Sequence, residues 1–350
     1  MMKKLRAAMA ILLPILLVAP GCTPVSLDCA QPEVFCVGLV TDVGRRDDRA
    51  YNQVAWEGIQ QAKSDGVADW TASIETIDVR DYAENIRVFA EAGYDVIVTV
   101  GYDLSAATYA AAGQYSNIFF IGADQRQSEN QNNLPNLVWL VFPEDQLGFL
   151  AGALAASITQ TGQVGAVCGS DAWLPMKSYG DGFIAGSLYI NPDVKATVTY
   201  HNDVGLDETF TDPVWGAATA NSLVDSGADI IFGVGGTTGS STLVAAVTRG
   251  AYAIGADIDQ YYALPVAAPR MLTSVLKMIA PGVVDLLREA KNAQARTGAF
   301  ATGNYPGQIG FAPYHELASL VPDDVRQQMS TLPQALLSGK IQTKVPVTTP

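Results

Sequence analysis

Residues 37–58 read VGLVTDVGRRDDRAYNQVAWEG, and this stretch decides the fold class. Four apolar residues beginning at Val37 fit a strand that is buried on both faces of a sheet. Polar and turn residues follow at once, and a helical pattern begins near Asp48 and ends at Gly66. A strand, a loop and a helix in this order are the repeating unit of an open α/β sheet, whose ligand crevice lies at the carboxyl ends of the strands.

The loop after this first strand carries candidate ligand-binding side chains. Asp42 directly follows the strand, and Tyr51 and Asn52 in the first helical turn would face the same space. This position at a strand end indicates a ligand role for all three. A simpler interpretation is also open, in which Asp48 only caps the helix and Tyr51 packs beside it.

The same alternation of strands and helices continues along the chain and then starts again. Strands are predicted at 37–40, 73–77, 96–100, 118–121 and 137–140, and then at 165–168, 196–200, 230–233 and 253–254. Helices are predicted at 48–64, 81–92, 105–114, 143–159, 176–190, 212–226, 242–249 and 272–293, and a further strand in the tail after residue 339. The restart near residue 164, in a chain of 350 residues, predicts two α/β lobes with parallel sheets that face each other across a cleft.

A family resemblance begins in the first loop. The segment DVGRRDDRAYNQ at 42–53 resembles the signature loop of the basic membrane protein family of substrate-binding lipoproteins, whose usual form is close to DxGGxDDKSFNQ. The departures here are Arg45 and Arg46, Ala50 in place of serine, and Tyr51 in place of phenylalanine. Further segments resemble the family in the same order, namely TFTDP at 209–213, the glycine turn at 233–239, IGADIDQ at 254–260 and MLTSVLK at 271–277.

This resemblance implies a type I periplasmic-binding-protein fold, with two Rossmann-like lobes around a ligand cleft. The first lobe is expected at 36–140 with about 268–298, and the second at 141–267 with about 299–345. In this fold the chain crosses between the lobes three times, so the helix predicted from Leu272 is expected to return to the first lobe. The implied function is that of a monomeric substrate-binding component, which closes on its ligand and hands it to the permease and ATPase subunits of an ABC importer.

The family includes purine-nucleoside receptors, so the resemblance also implies a ligand and a site. The implied site residues lie at strand ends and are Asp42, Tyr51, Asn52, Asp124, Phe210, Gly235, Asp257 and Lys277. The two aromatic rings would stack on the faces of the purine, and Asp42 and Asp124 would accept hydrogen bonds from its N–H groups. Asp257 and Lys277 would together hold a sugar hydroxyl. Taken singly, Asp124 also fits a turn aspartate, and Asp257 and Lys277 would more often be solvated surface charges.

The N-terminal residues have the features of an export signal. Three basic residues precede an apolar run at 7–19 that is too short to span a membrane comfortably. Cys22 follows a small residue after this run, which resembles a lipoprotein processing box, although an ordinary secretory signal remains an alternative. We therefore expect a signal peptide over 1–21, acylation of Cys22, and a linker over 22–35. The mature protein would be exported and held on the plasma membrane by lipid.

The other cysteines and the histidines bound the chemistry. Cys29 and Cys36 are close enough in an exported chain to form a disulfide, and Cys168 lies in an apolar strand pattern typical of a buried core residue. The chain has no C-x-x-C pair and only His201 and His315, so a zinc site has little support.

Charge and missing motifs exclude several functions. The formal net charge is −14 and becomes −17 when the three positive charges of residues 1–21 are removed, which disfavours nucleic-acid polymers as partners. The glycine turn lacks the spacing of a dinucleotide or P-loop motif, and no G-x-S-x-G is present. We expect neither an enzyme nor a cofactor. Two alternatives stay open, namely a sugar or other small metabolite as ligand, and a ligand-sensing surface lipoprotein without a transport role.

Overall fold

Two six-stranded sheets form the framework of the computed structural model, which describes residues 29–128, 130–205 and 208–345. The strands of the first sheet are β1 (Cys36–Val43), β2 (Trp70–Thr76), β3 (Val96–Val100), β4 (Phe119–Ala123), β5 (Leu137–Val141) and β11 (Gly303–Pro306). Those of the second are β6 (Gln163–Cys168), β7 (Lys195–Tyr200), β8 (Ile230–Gly233), β9 (Tyr252–Asp257), β10 (Met271–Lys277) and β12 (Ile309–Phe311).

The spatial order of the strands is β11-β5-β4-β3-β1-β2 in the first sheet and β12-β10-β9-β8-β6-β7 in the second. All neighbours are parallel except β10 and β12, which are antiparallel. The helices are α1 (Tyr51–Ser64), α2 (Tyr82–Glu91), α3 (Ser105–Gln114), α4 (Glu144–Ile158), α5 (Leu174–Ile190), α6 (Pro213–Asp225), α7 (Gly236–Thr248), α8 (Gln260–Ala263), α9 (Ile279–Gln294) and α10 (Asp323–Leu337). The predicted α/β class with two parallel sheets is confirmed.

Burial on both faces explains why the strands could be predicted from the sequence. In β1, Val37 and Leu39 belong to one buried cluster, whereas Cys36 and Val40 belong to a second cluster on the other face of the sheet. A strand covered on both faces is apolar along its whole length, so it reads as a continuous run rather than an alternation.

The predicted helix at 272–293 is wrong in its first third. Residues Met271–Lys277 form β10, which pairs with β9 on one side and β12 on the other. Six of its seven residues are buried, because it lies inside the second sheet, and the helix α9 begins only at Ile279. This helix packs against α1, where a Cβ on Gly58 would come 2.7 Å from the carbonyl oxygen of Ala280.

Three other expectations need correction. The expected lobe boundaries place residues 268–277 in the first lobe and 303–306 in the second, but β10 lies in the second sheet and β11 in the first. The helix expected from residue 242 begins at Gly236, directly after the glycine turn. The strand expected after residue 339 is absent from the described part of the tail, which ends at 345.

Helices α4 and α5 contact each other through glycines on both sides. A Cβ on Gly148 would lie 2.0 Å from the carbonyl oxygen of Tyr179, and one on Gly152 would lie 2.0 Å from that of Phe183. The reciprocal contact is made by Gly186, where a Cβ would lie 2.0 Å from a backbone oxygen of α4. The two backbones can approach this closely only because side chains are missing. The contact fixes the start of α4 against the first turns of α5, and both carry cavity residues.

The cysteines and the helix lengths bear on the expected export of the protein. Cys29 and Cys36 form a disulfide, which the sequence had left open, and Cys168 is a buried free thiol. In the described ranges, no helix has both the length and the apolar character needed to cross a membrane. The expected signal peptide and the lipidation residue Cys22 lie outside the described residues.

Candidate ligand-binding site

A cavity of about 490 Å³ lies between the two sheets and is lined by residues from the carboxyl ends of strands in both. Its volume is in the range of sites that enclose one small molecule. Loops and helix starts at these strand ends supply polar groups on one part of the wall and aromatic rings on another.

The polar part of the wall is a buried cluster of five charges around Lys277, the last residue of β10. Its Nζ lies 2.8 Å and 3.0 Å from the two carboxylate oxygens of Asp124, 3.6 Å from Oε1 of Glu144, and 3.7 Å from Oδ1 of Asp257. Arg126 donates through Nη2 to both carboxylate oxygens of Glu144 at 3.0 Å. Three carboxylates and two cations leave one net negative charge, so the cluster disfavours the binding of an anionic ligand in the cavity.

The pKa shifts in this cluster follow from burial and from mutual attraction. Burial alone would lower the pKa of Lys277, but the carboxylates of Asp124, Asp257 and Glu144 outweigh it and raise that pKa, so the lysine is charged. Burial raises the pKa of Asp124, and the charge of Lys277 opposes this shift.

Two tyrosines contact the polar cluster, Tyr51 at the cavity wall and Tyr179 buried behind it. The hydroxyl of Tyr179 donates to Oδ1 of Asp257, and the rings of Tyr179 and Tyr51 each lie 5.9 Å from the Nζ of Lys277. Burial, followed by the negative charge of Asp257, raises the pKa of both tyrosines well above the ordinary value. Both hydroxyls are therefore protonated donors. Tyr179 reaches this place because the glycine contact holds α5 against α4.

The aromatic part of the wall is formed by three rings. Trp173 makes edge-on contacts with Phe210, at 5.4 Å between ring centroids, and with Tyr102, at 4.7 Å. Tyr102 follows β3 of the first sheet, whereas Trp173 precedes α5 beside the second, so the pair joins the two halves across the cleft. A second contact across the cleft runs from Nη1 of Arg49 to the carbonyl oxygen of Tyr262, at 3.3 Å.

The glycine turn brings backbone to the cavity wall. Gly235 and Gly236 have φ values of 114° and 58°, and a Cβ on Gly236 would lie 2.7 Å from the carbonyl oxygen of Phe210. Residues with a side chain rarely adopt such values, so the sequence needs glycine here. Helix α7 starts at this turn, and its first N–H groups lie beside the Phe210 segment.

The structure brings together six of the eight predicted site residues. The six that line the cavity are Tyr51, Asp124, Phe210, Gly235, Asp257 and Lys277. Asp42 and Asn52 do not line it. Oδ1 of Asp42 accepts from the Tyr82 hydroxyl and from the Val43 N–H at 2.7 Å, while the backbone N–H of Asp42 donates to Oδ1 of Asn52 at 2.9 Å. These bonds fix the loop between β1 and α1.

The structure bears on two further expectations. The predicted pairing of Lys277 with Asp257 is the longer contact, because the closest partner of the lysine is Asp124. Asp124 is therefore held by a cation rather than left free to accept from a base. The capping interpretation of Asp48 is correct, since its Oδ1 accepts from the N–H groups of Ala50 at 2.7 Å and of Gln53 at 3.1 Å.

Several cavity residues were missed by sequence reasoning, namely Tyr102, Arg126, Glu144 and Trp173, as was Tyr179, which lies behind the wall on Asp257. Glu144 is in the first turn of α4, where an acidic residue is ordinary because it complements the helix dipole. The two aspartates that were predicted share an unusual backbone conformation. Asp124 and Asp257 have φ values of 56° and 72°, a conformation that aspartate tolerates at strand ends.

Comparison with known proteins places this cleft in a family. Residues 35–342 match the family model described as ABC transporter substrate-binding protein, PnrA-like. A protein of Listeria monocytogenes named CD4+ T-cell-stimulating antigen is 29% identical over 330 residues, which cover 89% of this chain and 88% of that protein. The nucleoside-binding protein BmpA of an ABC transporter of Lactococcus lactis is 25% identical over 324 residues, covering 87% and 89%.

Solved structures show the same fold. A solute-binding protein of an ABC transporter system from Conexibacter woesei superposes with a TM-score of 0.71 at 23% identity, and covers 88% of this chain and 98% of its own. A corresponding protein from Aeropyrum pernix has a TM-score of 0.66 at 22% identity, with 88% and 92% covered.

Proposed function

Because this chain belongs to the family of PnrA-like ABC transporter substrate-binding proteins, we propose that its cleft binds a purine nucleoside. As a member of this family it is an exported ligand carrier that works with permease and ATPase subunits. The finer assignment to purine nucleosides rests on one observation, the meeting of three aromatic rings and a buried polar cluster in a single cavity. The name of the Lactococcus lactis relative, a nucleoside-binding protein, supports the same ligand class.

A purine nucleoside has the two chemical parts that this cavity offers to bind. The base is a flat apolar disc, for which aromatic rings such as Phe210 and Trp173 provide a stacking surface. The ribose is neutral and rich in hydroxyl groups, which donate to carboxylates and accept from cations. Asp257 and the ion pair of Lys277 with Asp124 supply both kinds of partner.

The charge of the cluster sets a preference against nucleotides. Its net negative charge would repel a phosphate, and the glycine turn lacks the lysine of a P-loop. A neutral nucleoside meets no such repulsion. We therefore expect nucleosides to bind and the corresponding monophosphates to bind poorly.

Isothermal titration calorimetry tests the ligand and the site together. Guanosine, inosine, adenosine, cytidine and ribose are titrated into the wild type, Phe210→Ala and Asp257→Ala, with Phe300→Ala as a control outside the cavity. Removing the Phe210 ring should cost ~1–3 kcal/mol of binding free energy, or roughly tenfold to more than a hundredfold in affinity. Ribose binding as tightly as any purine nucleoside would assign the site to a sugar instead. An unchanged affinity in Phe210→Ala would show that this ring does not contribute to ligand binding.

The attachment to the membrane is a separate part of the proposal. The apolar run ending at Cys22 supports acylation of this cysteine after loss of residues 1–21. Stable anchoring takes more than one acyl chain, as in a lipidated N-terminus. Fractionation of cells that produce the wild type or Cys22→Ser tests this, because only the variant should leave the membrane fraction. Identical fractionation would contradict lipid anchoring without affecting the ligand assignment.

A further inference from the structure

A buried histidine, His201, lies beside the segment that carries Phe210 and is not among the residues that line the cavity. His201 follows β7 directly, and its backbone N–H donates to the carbonyl oxygens of Cys168 and Gly169, at 3.3 Å and 3.2 Å. Its side chain is only 1% exposed. The imidazole stacks on the indole of Trp215 with 4.0 Å between centroids and 9° between planes. Its Nε2 lies 3.2 Å from Oδ2 of Asp212.

We propose that His201 is a positioning residue for ligand binding, which holds the Phe210 ring at the cavity wall through Asp212 and Thr238. The proposal deepens the nucleoside assignment and rests on it for the ligand used as a probe. It concerns a residue that lies outside the cavity, so pocket geometry alone does not identify it.

The hydrogen-bonding groups assign the proton on the imidazole. A carboxylate only accepts hydrogen bonds, so the ring nitrogen that faces Asp212 must be the donor. The other nitrogen of His201, Nδ1, is buried and has no hydrogen-bond partner among the described residues. The hydrogen bond of the imidazole therefore runs from its Nε2–H to the Asp212 carboxylate.

Asp212 passes this constraint to two helices. Its Oδ1 accepts from the N–H of Trp215 at 2.9 Å and so caps α6, while its backbone N–H donates to Oγ1 of Thr238 at 2.9 Å. Thr238 is buried in the first turn of α7, and its own N–H donates to the carbonyl oxygen of Phe210 at 3.2 Å. Residues 210 and 212 are thus both bonded to Thr238, and His201 fixes the carboxylate between the two helices.

The other side of the Phe210 ring also leads back to His201. A Cβ on Gly169 would lie 2.8 Å from Cε1 of Phe210, so this ring packs directly against the backbone of Gly169. The carbonyl oxygen of the same glycine accepts from the N–H of His201. The ring is thus supported by the Gly169 backbone, which contacts His201, and by the hydrogen bond from Thr238, which contacts Asp212, the partner of His201.

A simple helix cap does not account for this histidine. Aspartate followed by proline at the first helical position is a complete N-terminal signal, and one carboxylate oxygen satisfies it. The second oxygen of Asp212 lies 3.2 Å from Nε2 of the buried imidazole, although 34% of the Asp212 side chain is exposed. The cap of α6 does not require that contact, and the backbone N–H of the same aspartate donates to Thr238, which in turn bonds the Phe210 carbonyl.

A double-mutant cycle separates positioning from general stability. His201→Leu removes the donor, and His201→Gln supplies an amide N–H in its place. Affinity for guanosine should fall at least about fivefold in His201→Leu, the loss of one buried hydrogen bond, and His201→Gln should recover most of it. In the Phe210→Ala background His201→Leu should cause no further loss, because the ring that His201 positions is gone. An equal loss in both backgrounds would overturn the proposal.

A second measurement does not depend on any ligand. In the ligand-free protein, the amides of Trp215 and Thr238 should exchange with solvent about tenfold faster in His201→Leu than in wild type. Unchanged exchange would overturn the proposal, even if guanosine fails to bind the wild type and the nucleoside assignment falls. If His201→Leu does not fold, Asp212→Ser is the second variant. Serine keeps a cap oxygen for α6 but has no second oxygen for His201, so the same losses are expected from it.

Discussion

Replacing Lys277 by methionine would leave the carboxylates of Asp124, Glu144 and Asp257 without the cation that they share. The 2.8 Å contact with Asp124 alone corresponds to about 6 kcal/mol of Coulomb energy at an effective dielectric constant of about 20, before any desolvation. The contacts at 3.6 Å and 3.7 Å add about 4–5 kcal/mol each on the same scale. Methionine keeps the apolar stem, so the change isolates the charge.

The real loss of stability is limited by proton uptake. An orphaned aspartate can bind a proton in the folded state, and from an unfolded pKa near 3.9 this costs about 4 kcal/mol at pH 7 but only about 1.5 kcal/mol at pH 5. We therefore expect Lys277→Met to lower the free energy of unfolding by about 3–4 kcal/mol at pH 7, within the range for breaking a buried ion pair. At pH 5 the loss should be about 1–2 kcal/mol.

The sign of the pH dependence follows from proton counting. The raised pKa of an orphaned carboxyl means that the folded variant binds one more proton than its unfolded state. Its stability relative to wild type is therefore greatest at low pH and decreases as the pH rises through the raised pKa, by up to about 1.4 kcal/mol per pH unit. Lys277 itself is charged throughout this range, because its pKa is raised.

Urea denaturation at pH 5 and pH 7 measures this difference. Lys177→Met is the matched control, since Lys177 is half exposed and pairs with Asp181 one helical turn away. That pair should contribute only about 0.3–0.5 kcal/mol at either pH. Removing Asp124 as well, in Lys277→Met with Asp124→Asn, should restore part of the stability lost at pH 7. A deficit below about 1 kcal/mol at pH 7, or one that does not change with pH, would refute the charge-cluster reasoning.

Three further predictions concern packing, the disulfide and cleft closure. Gly152→Ala should lower the free energy of unfolding by about 1–3 kcal/mol, because its Cβ would meet the Phe183 carbonyl oxygen. The control Gly113→Ala, in the open surface of α3, should raise the free energy of unfolding by about 0.5–1 kcal/mol. Equal effects of the two changes in thermal melts would contradict the close α4–α5 contact. Replacing Cys29 and Cys36 by serine should lower the free energy of unfolding by about 2–3 kcal/mol, and the wild type with dithiothreitol should match the variant. Tyr102→Ala removes the ring contact with Trp173 that joins the two halves, and it should weaken guanosine binding by roughly twofold to tenfold. Tyr102→Phe should keep both the contact and the affinity. The prediction is wrong if both variants bind guanosine equally.

The sequence by itself was sufficient for elements that are decided locally. The buried run at Val37 to Val40, the turn after it and the helix beginning near Asp48 each have a pattern that the neighbouring residues complete. The same holds for the glycine turn at Gly235, whose positive φ values only glycine adopts readily. These stretches were enough for the α/β class, and they contain two of the cavity residues, Tyr51 and Gly235. The other four predicted cavity residues came from the family resemblance of later segments.

Only the tertiary structure decided which side chains meet. Residues Met271–Lys277 have apolar spacing that fits a helix, but strands on both sides bury them in a sheet. Asp42 ends a strand as a ligand residue would, yet the hydroxyl of Tyr82, forty residues away in the chain, occupies its carboxylate. Lys277 binds Asp124 across 153 residues. Long-range charge pairing depends on where two sheets place their strand ends in space. Local periodicity in the sequence does not predict the distance between such residues.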